Sequence, residues 1–503
     1  MAFEAGQGDA QGGNDRPVRV ILFAVASVIF LASLGQTSVS TAMPVIAADL
    51  DGVEHVTWLI TAYLMASTIA APIAGKLGDI HGRKRVLQAG ILIFVAGSLI
   101  GGLAQSMAAV SAGRAVQGLG AGALIVVSMA VVGDVLPARE RGKAQGMVAG
   151  MFGISTVIGP LIGGFLVDNL NWHWIFFVNL PVGLAALAVL SVSLPSVRQG
   201  ERRVVDYGGA AALALLLAAV VLIVNLGGVT LPWLSGGMAA LAAVAALGLA
   251  AFVRAERRAA DPVLPLCLFG NRNFVVVNAA GLLVGIAMFG TITFTPIYLQ
   301  VVQGVSPTAS GLLMVAMMAG LISASLGSGQ VMSRTGRYRM LPILSTLVLT
   351  GGMLLLSTLS TDTPLWQVVL YLLIVGLGIG PVLSIGVAAV QNSIPVSLLG
   401  VGTASVNMFR MIGGAVGTAA LGAVFAAGLI VALGPQAGAV PLGSAAALGT
   451  DAPEGVAAGY AQAIVPVYAA GAVAAFAAFL VLTRMREVPL GARPEAPAPA
   501  PAE

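Results

Sequence analysis

Gly75-Lys76-Leu77-Gly78-Asp79-Ile80-His81-Gly82-Arg83-Lys84-Arg85-Val86-Leu87 is a short polar stretch between two apolar runs, Val56 to Ala74 and Val86 to Gln105. Each run holds about 20 residues, enough to cross a bilayer as a helix rising about 1.5 Å per residue. The stretch therefore reads as a tight turn between two membrane helices. Its glycines allow a sharp turn or a close backbone approach. Asp79 is placed to take hydrogen bonds from the N-terminus of the next helix, where negative charge is favoured. Arg83, Lys84 and Arg85 stay in water and mark the cytoplasmic side.

Composition agrees. Of the 503 residues, 58% are hydrophobic and 9% charged. Soluble domains carry about 25% charged residues, so this is an all-α polytopic membrane protein. The abundant glycine suits helices that pack through small residues in lipid. Cys267 is the single cysteine, which rules out an intrachain disulfide. The net charge of +4 gives no reason to expect nucleic acid, because the cations are spread over loops. The run after Arg16 is too long for a signal sequence and reads as a retained first helix.

Hydropathy places fourteen candidate spans, at 19–43, 56–75, 86–105, 108–133, 144–168, 173–194, 207–227, 232–253, 273–298, 309–331, 340–360, 366–390, 402–430 and 460–483. With the N-terminus inside, every Lys and Arg except Arg114 and Arg410 falls in an inward segment. The outward segments carry Asp49, Asp51, Glu54, Asp168, Asp362, Asp451 and Glu454 instead. A miscounted helix would destroy this segregation. Both termini are accordingly expected in the cytoplasm, in a multi-pass protein of the plasma (inner) membrane. Val431 to Gly459 is an outward loop too long for a plain connection. The Pro/Ala-rich end, Pro494 to Glu503, reads as a disordered tail.

A shift of 254 to 258 positions lays one half of the chain on the other. Gly75, Gly82, Arg83 and Arg85 fall on Gly329, Gly336, Arg337 and Arg339. Pro137, Gly142, Gly159 and Gly164 fall on Pro395, Gly400, Gly417 and Gly422. Spans one to six match nine to fourteen, with seven and eight inserted. The expected units are a tail at 1–17, a six-helix half at 18–195, the inserted pair at 196–260, a second six-helix half at 261–485 and a tail at 486–503. Two halves in parallel repeat suit a rocking, alternating-access transporter. Asp79 becomes Ser333 in the second copy, so the latching chemistry is expected in the first.

The turn resembles, nearly position for position, the GxLaDrxGrkxxL signature of the major facilitator superfamily. Gly75, Asp79, Gly82 and Arg83 then form the expected cytoplasmic gate motif. Arg114 and Gln117, in Arg114-Ala115-Val116-Gln117-Gly118, resemble the family's RxxQG signature, which implies proton or substrate handling. Gly159, Pro160, Gly163 and Gly164 resemble the antiporter signature GxxxGPxxGG, with Ser155 at its first glycine. Trp172-His173-Trp174-Ile175-Phe176-Phe177-Val178-Asn179-Leu180-Pro181 resembles WRWxFxxNxP of the fourteen-helix drug:proton antiporter branch. Asp206 with Gly209 resembles that branch's DxxG element. Leu34 to Pro44 resembles its LDxTxVNxALP stretch, with Gly35 in place of the membrane aspartate.

The resemblance implies proton-coupled efflux of amphipathic drugs. No Asp or Glu lies deep in any span, and the end-of-helix carboxylates are Asp79, Asp134, Asp206 and Asp168. Of these, Asp134 is the expected proton carrier. Arg114 lies well inside its span, where a charge usually faces a cavity or a partner. Arg410 reads equally as a gate residue or as a side chain snorkelling to the interface. Gln36, Thr37, Thr41, Asn278, Phe289, Phe294, Tyr298 and Arg410 are the candidates for an apolar cavity with sparse polar groups. No nucleotide-binding or catalytic pattern is present, so neither ATP nor enzymatic chemistry is expected, nor any cofactor or metal. The expected partners are a small amphipathic substrate, protons and the lipid bilayer, with the chain acting as a monomer. Two alternatives stay open: an exporter or facilitator of a lipid, amino acid or other metabolite without proton coupling, and a non-transporting membrane sensor or scaffold.

Overall fold

The computed structural model describes residues 15–50, 58–194, 206–227, 231–259, 261–433 and 455–490. Residues 1–14 and 491–503 of the expected tails, and most of the expected 431–459 loop, lie outside the described residues. Residues 15–17 already belong to the first helix, and 486–490 pack on the second half through Glu487 and Val488. Among those described, the chain is helical throughout, without a strand. The first part runs α1 (Asp15–Thr37), α2 (Val39–Asp49), α3 (Trp58–His81), α4 (Arg83–Gly102), α5 (Met107–Val135), α6 (Ala138–Asn169), α7 (Trp174–Phe177) and α8 (Asn179–Ser193). Next come α9 (Tyr207–Leu226) and α10 (Gly236–Arg258). The last part runs α11 (Arg272–Ile297), α12 (Pro307–Thr335), α13 (Met340–Leu356), α14 (Leu365–Ser393), α15 (Leu399–Leu433) and α16 (Val456–Leu482).

Twelve of the described helical segments are long and apolar enough to cross a membrane. The two further expected spans, 144–168 and 340–360, coincide with α6 and α13. Span one departs from the expected single run over 19–43: it is two helices meeting at Ser38, whose N–H still bonds the Leu34 carbonyl at 3.0 Å. Span six likewise divides at Val178 into α7 and α8.

Packing follows the repeat. In the first part α5 packs on α3 and α4; in the last, α14 packs on α12 and α13. The helices α9 and α10 pack on each other, and α9 also touches α3 and α15. The outer face of α10 is apolar and exposed, with Leu247 69% accessible, as a lipid-facing helix requires. The two parts meet along α6 with α12 and α3 with α15, and α14 adds contacts to α6. Small residues set the spacing. A Cβ on Gly329 would stand 2.6 Å from the Gly142 carbonyl oxygen, and one on Gly146 would stand 2.8 Å from that of Ser325. These contacts lie toward the end of the bundle that carries Arg83, Arg139 and Arg337, hereafter the basic end.

Candidate functional site

At the basic end, α3 passes into α4 through Gly82 alone, whose φ of 90° a side chain would strain. This reversal sets Arg83, the first residue of α4, back over the last turn of α3. Its Nη2 donates to Asp79 Oδ1 in a close ion pair, its Nε donates to Asp134 Oδ2 at 3.0 Å, and its Nη1 reaches the Gly75 carbonyl at 3.4 Å. Asp79 also reaches across to the other half. Its Oδ1 accepts the N–H of Gly400 at 3.1 Å and its Oδ2 that of Val401 at 3.2 Å. Those are the second and third residues of α15, whose first N–H groups have no partner within the helix. The carboxylate thus caps a helix of the opposite half, where the macrodipole favours negative charge.

Two glycines make room for the crossing. A Cβ on Gly75 would lie 2.7 Å from the Gly400 carbonyl oxygen, and one on Gly400 would lie 2.4 Å from that of Gly75 and 2.7 Å from Asp79 Oδ2. A second crossing lies beside it. Buried Arg141 donates to the carbonyls of Leu136 and Gln391, and Gln391 donates to the Met129 carbonyl at 3.1 Å. The repeat copy of the turn behaves differently. Arg339 bonds the Thr483 carbonyl, and the Tyr338 N–H bonds Glu487, so this copy holds the end of its own half.

Lys76, buried within the same turn, forms a close ion pair with Asp261, in the segment that leads from α10 to α11. Glu256 fixes that segment by accepting the N–H groups of Val263 at 3.0 Å and Leu264 at 3.1 Å. Asp206 caps α9 through the Gly209 N–H at 2.8 Å, a structural use for the DxxG element. Sequence reasoning missed the roles of Lys76, Asp261, Glu256, Gly400 and Val401. The Arg83–Asp134 pair had a signal: α4 starts and α5 ends at the same membrane level, so their terminal charges share a plane.

Deeper in the bundle Arg114 is 1% exposed. Its Nη1 donates to the Gly35 carbonyl at 2.6 Å and to Gln117 Oε1 at 3.0 Å, and its Nε donates to the Leu59 carbonyl at 3.0 Å. The guanidinium lies 4.2 Å from the centre of the Tyr63 ring. Gln117 passes the network on to Ser98 at 2.6 Å. Asp134, at the far end of α5, belongs with Arg83 and Asp79 at the basic end.

Of the cavity candidates, Arg410 lines a small cavity among α11, α14 and α15. Gln36 is half-buried, and Thr37 donates to the carbonyls of Ser33 and Ser155. Asn278 bonds its own helix at the Phe274 carbonyl, and Phe289 packs on Gly414. Phe294 packs against Phe425 at 5.4 Å, and Tyr298 donates to the Ser360 carbonyl at 2.8 Å. Among the described candidates, Arg410 is the one that lines this cavity. The side chains of Thr41 and Pro160 lie outside the described residues. Gly163 is buried, and Gly164 has open space beside it.

A Cβ on Gly159 would stand 2.0 Å from Thr37 Oγ1, so α6 touches the end of α1 there. Gly159→Leu is expected to abolish transport and lower thermal stability, since overpacking costs about 1–3 kcal/mol. Wild-type transport by this variant would remove the close-contact argument.

Comparison with known proteins places the chain. The model of the Major Facilitator Superfamily matches residues 25–418. The chain belongs to this superfamily. It is similar to an uncharacterised MFS-type transporter of Mycobacterium tuberculosis, 39% identical over 484 residues, covering 94% of this chain and 70% of that one. It is equally similar to the multidrug transporter protein MdtP of Bacillus subtilis, 39% identical over 412 residues, covering 82% of this chain and 76% of that one. Among solved structures, the human organic anion transporter MFSD10 aligns with a TM-score of 0.62 at 16% identity, over 92% of this chain and 99% of that one. The proton:xylose symporter XylE aligns with a TM-score of 0.61 at 13% identity, over 92% of this chain and 95% of that one. At those identities the likeness is one of fold. The chain is a major facilitator transporter and not an enzyme, and the reading as a non-transporting sensor or scaffold falls away.

Proposed function

We propose that this transporter is a secondary active exporter of amphipathic drugs or related small molecules. It works by alternating access, as a monomer with fourteen spans in the plasma membrane. The basic end faces the cytoplasm, because uncompensated cations are retained on that side. The observation that carries the reading is Asp79 of one half capping α15 of the other. Such a contact holds the cytoplasmic end closed, and an inward-facing state has to break it. Drug transport also accords with the name of MdtP, a multidrug transporter protein. The deciding experiment is expression in an efflux-deficient host, read by susceptibility to a drug panel and by dye accumulation. Unchanged susceptibility and accumulation across the panel would overturn export of drugs.

Proton coupling runs, in this proposal, through Asp134. Its side chain is 33% exposed and shares Arg83 with Asp79. A proton on Asp134 would weaken one side of that bridge and loosen the gate. In proteoliposomes loaded with a pH-sensitive dye at clamped voltage, substrate should drive a proton flux that vanishes in Asp134→Asn. Unchanged flux in that variant would exclude Asp134, and substrate movement without any flux would exclude antiport.

A further inference from the structure

We infer that the cargo is an amphipathic anion, a carboxylate or sulfonate, received by Arg114 and Arg410. The inference rests on the export reading and adds the sign of the cargo's charge. All Asp and Glu residues lie at span ends, in connections or in tails, so the two arginines are the charged side chains of the membrane interior. They stand on opposite halves, on α5 and α15. The ion pairs among the described residues, Lys76–Asp261, Arg83–Asp79 and Arg83–Asp134, all lie at the basic end and include neither arginine.

Both arginines are solvated only by neutral groups, and incompletely. Arg114 uses Nε and Nη1 on two carbonyls and an amide, while its Nη2 has no protein acceptor among the described residues. Position 35, beside it, would take a side chain only if Phe94 moved: a Cβ there would stand 2.5 Å from Phe94 Cζ, and Phe94 is fully buried. Arg410 donates from Nη2 to Asn407 Oδ1, and its Nε is buried without an acceptor. Its cavity wall is otherwise apolar: Val277, Gly281 and Val284 of α11, Val382 and Leu383 of α14, and Val406. The cavity, about 10 Å³, holds no more than a water in this arrangement. Once movement of α11, α14 and α15 opens it, a guanidinium with free donors against an apolar wall matches a planar anion with an apolar body, which it binds through paired hydrogen bonds. A cationic cargo would meet like charge at both positions, with no carboxylate to receive it. Outward movement of an anion also runs down the inside-negative membrane potential, so export places no demand on a carboxylate at position 35.

The test uses the purified full-length protein in phosphatidylcholine liposomes and two fluorescent probes, dansyl-aminohexanoate and dansylcadaverine. They share a fluorophore and tether and end in a carboxylate and an ammonium. The carboxylate should move at least about tenfold faster than the ammonium, each corrected for protein-free liposomes, the factor expected for about 1.4 kcal/mol of charge preference. Arg410→Gln should collapse that ratio toward one, and Arg410→Lys should retain most of it. Loss of structure alone would lower both rates and leave the ratio unchanged, so an unchanged ratio in both Arg410→Gln and Arg114→Gln overturns the inference. Equal movement of the probes, or preference for the ammonium, overturns it while leaving export standing. If neither probe moves and the efflux-deficient host gains no resistance, the export reading fails and the inference with it.

Discussion

Asp79→Asn is expected to cut transport about a hundredfold while leaving the protein inserted in the membrane. Asparagine keeps one oxygen for the α15 N–H groups, but it presents an NH2 where the second acceptor stood and loses the charge that faces Arg83. Hydrogen bonds to a charged group contribute about 1.5–3 kcal/mol each, so two weakened bonds shift the closed gate by about 3 kcal/mol. The gate population is read directly with Ala404→Cys, a buried site next to Gly75, in a background with the exposed Cys267 replaced by Ser. Asp79→Asn should raise its labelling by a membrane-impermeant maleimide added from the cytoplasmic side. Wild-type labelling and transport would remove the latch from the mechanism.

The asymmetry between the repeat copies was partly legible. Ser333 in place of Asp79 says that the second turn lacks an anion. It does not say where the second turn goes instead, onto Glu487 and the Thr483 carbonyl of its own half. Span positions were legible because a long apolar run in lipid has helix as its one open-ended solution. The boundaries that differ have tertiary causes. The polar start of α6, Ala138 to Lys143, reads as a loop by hydropathy. It is helical because Arg141 is buried against Gln391 and Gly142 packs on Gly329 of the opposite half. Span one breaks at Ser38, where Gly159 of α6 presses on Thr37.

The site divides in the same way. Asp79 and Arg83 were visible together in one short turn between two helices, four residues apart, and the reversal at Gly82 brings them into contact. Asp134 was visible as a charge at a helix end, yet its partner is Arg83, whereas Arg114 lies about 30 Å away along α5. The receptor for Asp79 is backbone, the N–H groups of Gly400 and Val401, and backbone donors leave no mark in composition. Gly35 explains itself only in three dimensions: its carbonyl serves Arg114 and its missing side chain makes way for Phe94.

The Lys76–Asp261 pair joins residues 185 positions apart, and its two partners are unequally buried. The Lys76 side chain is 3% exposed and that of Asp261 24%. The two single replacements should therefore differ. Asp261→Asn takes the paired carboxylate from a buried ammonium and leaves it only the more distant Glu256, a loss of up to about 3–5 kcal/mol. Lys76→Met removes the buried charge, fills its volume with an apolar chain and leaves a carboxylate that water still reaches, so it should cost about 1 kcal/mol or less. The double variant should resemble Lys76→Met, because the penalty in Asp261→Asn belongs to the stranded charge and not to the lost attraction. Thermal unfolding of the four proteins in one detergent, combined as a double-mutant cycle, measures this. Equal stability of the two single variants would show that the pair contributes little to the fold. The pair also ties the segment after α10, held by Glu256, to the turn that carries Asp79. In Lys76→Met that tie is cut at little loss of stability, so the maleimide reaction at Ala404→Cys should quicken while the unfolding temperature stays near wild type. Unchanged labelling in Lys76→Met would mean that α9 and α10 ride beside the gate without restraining it.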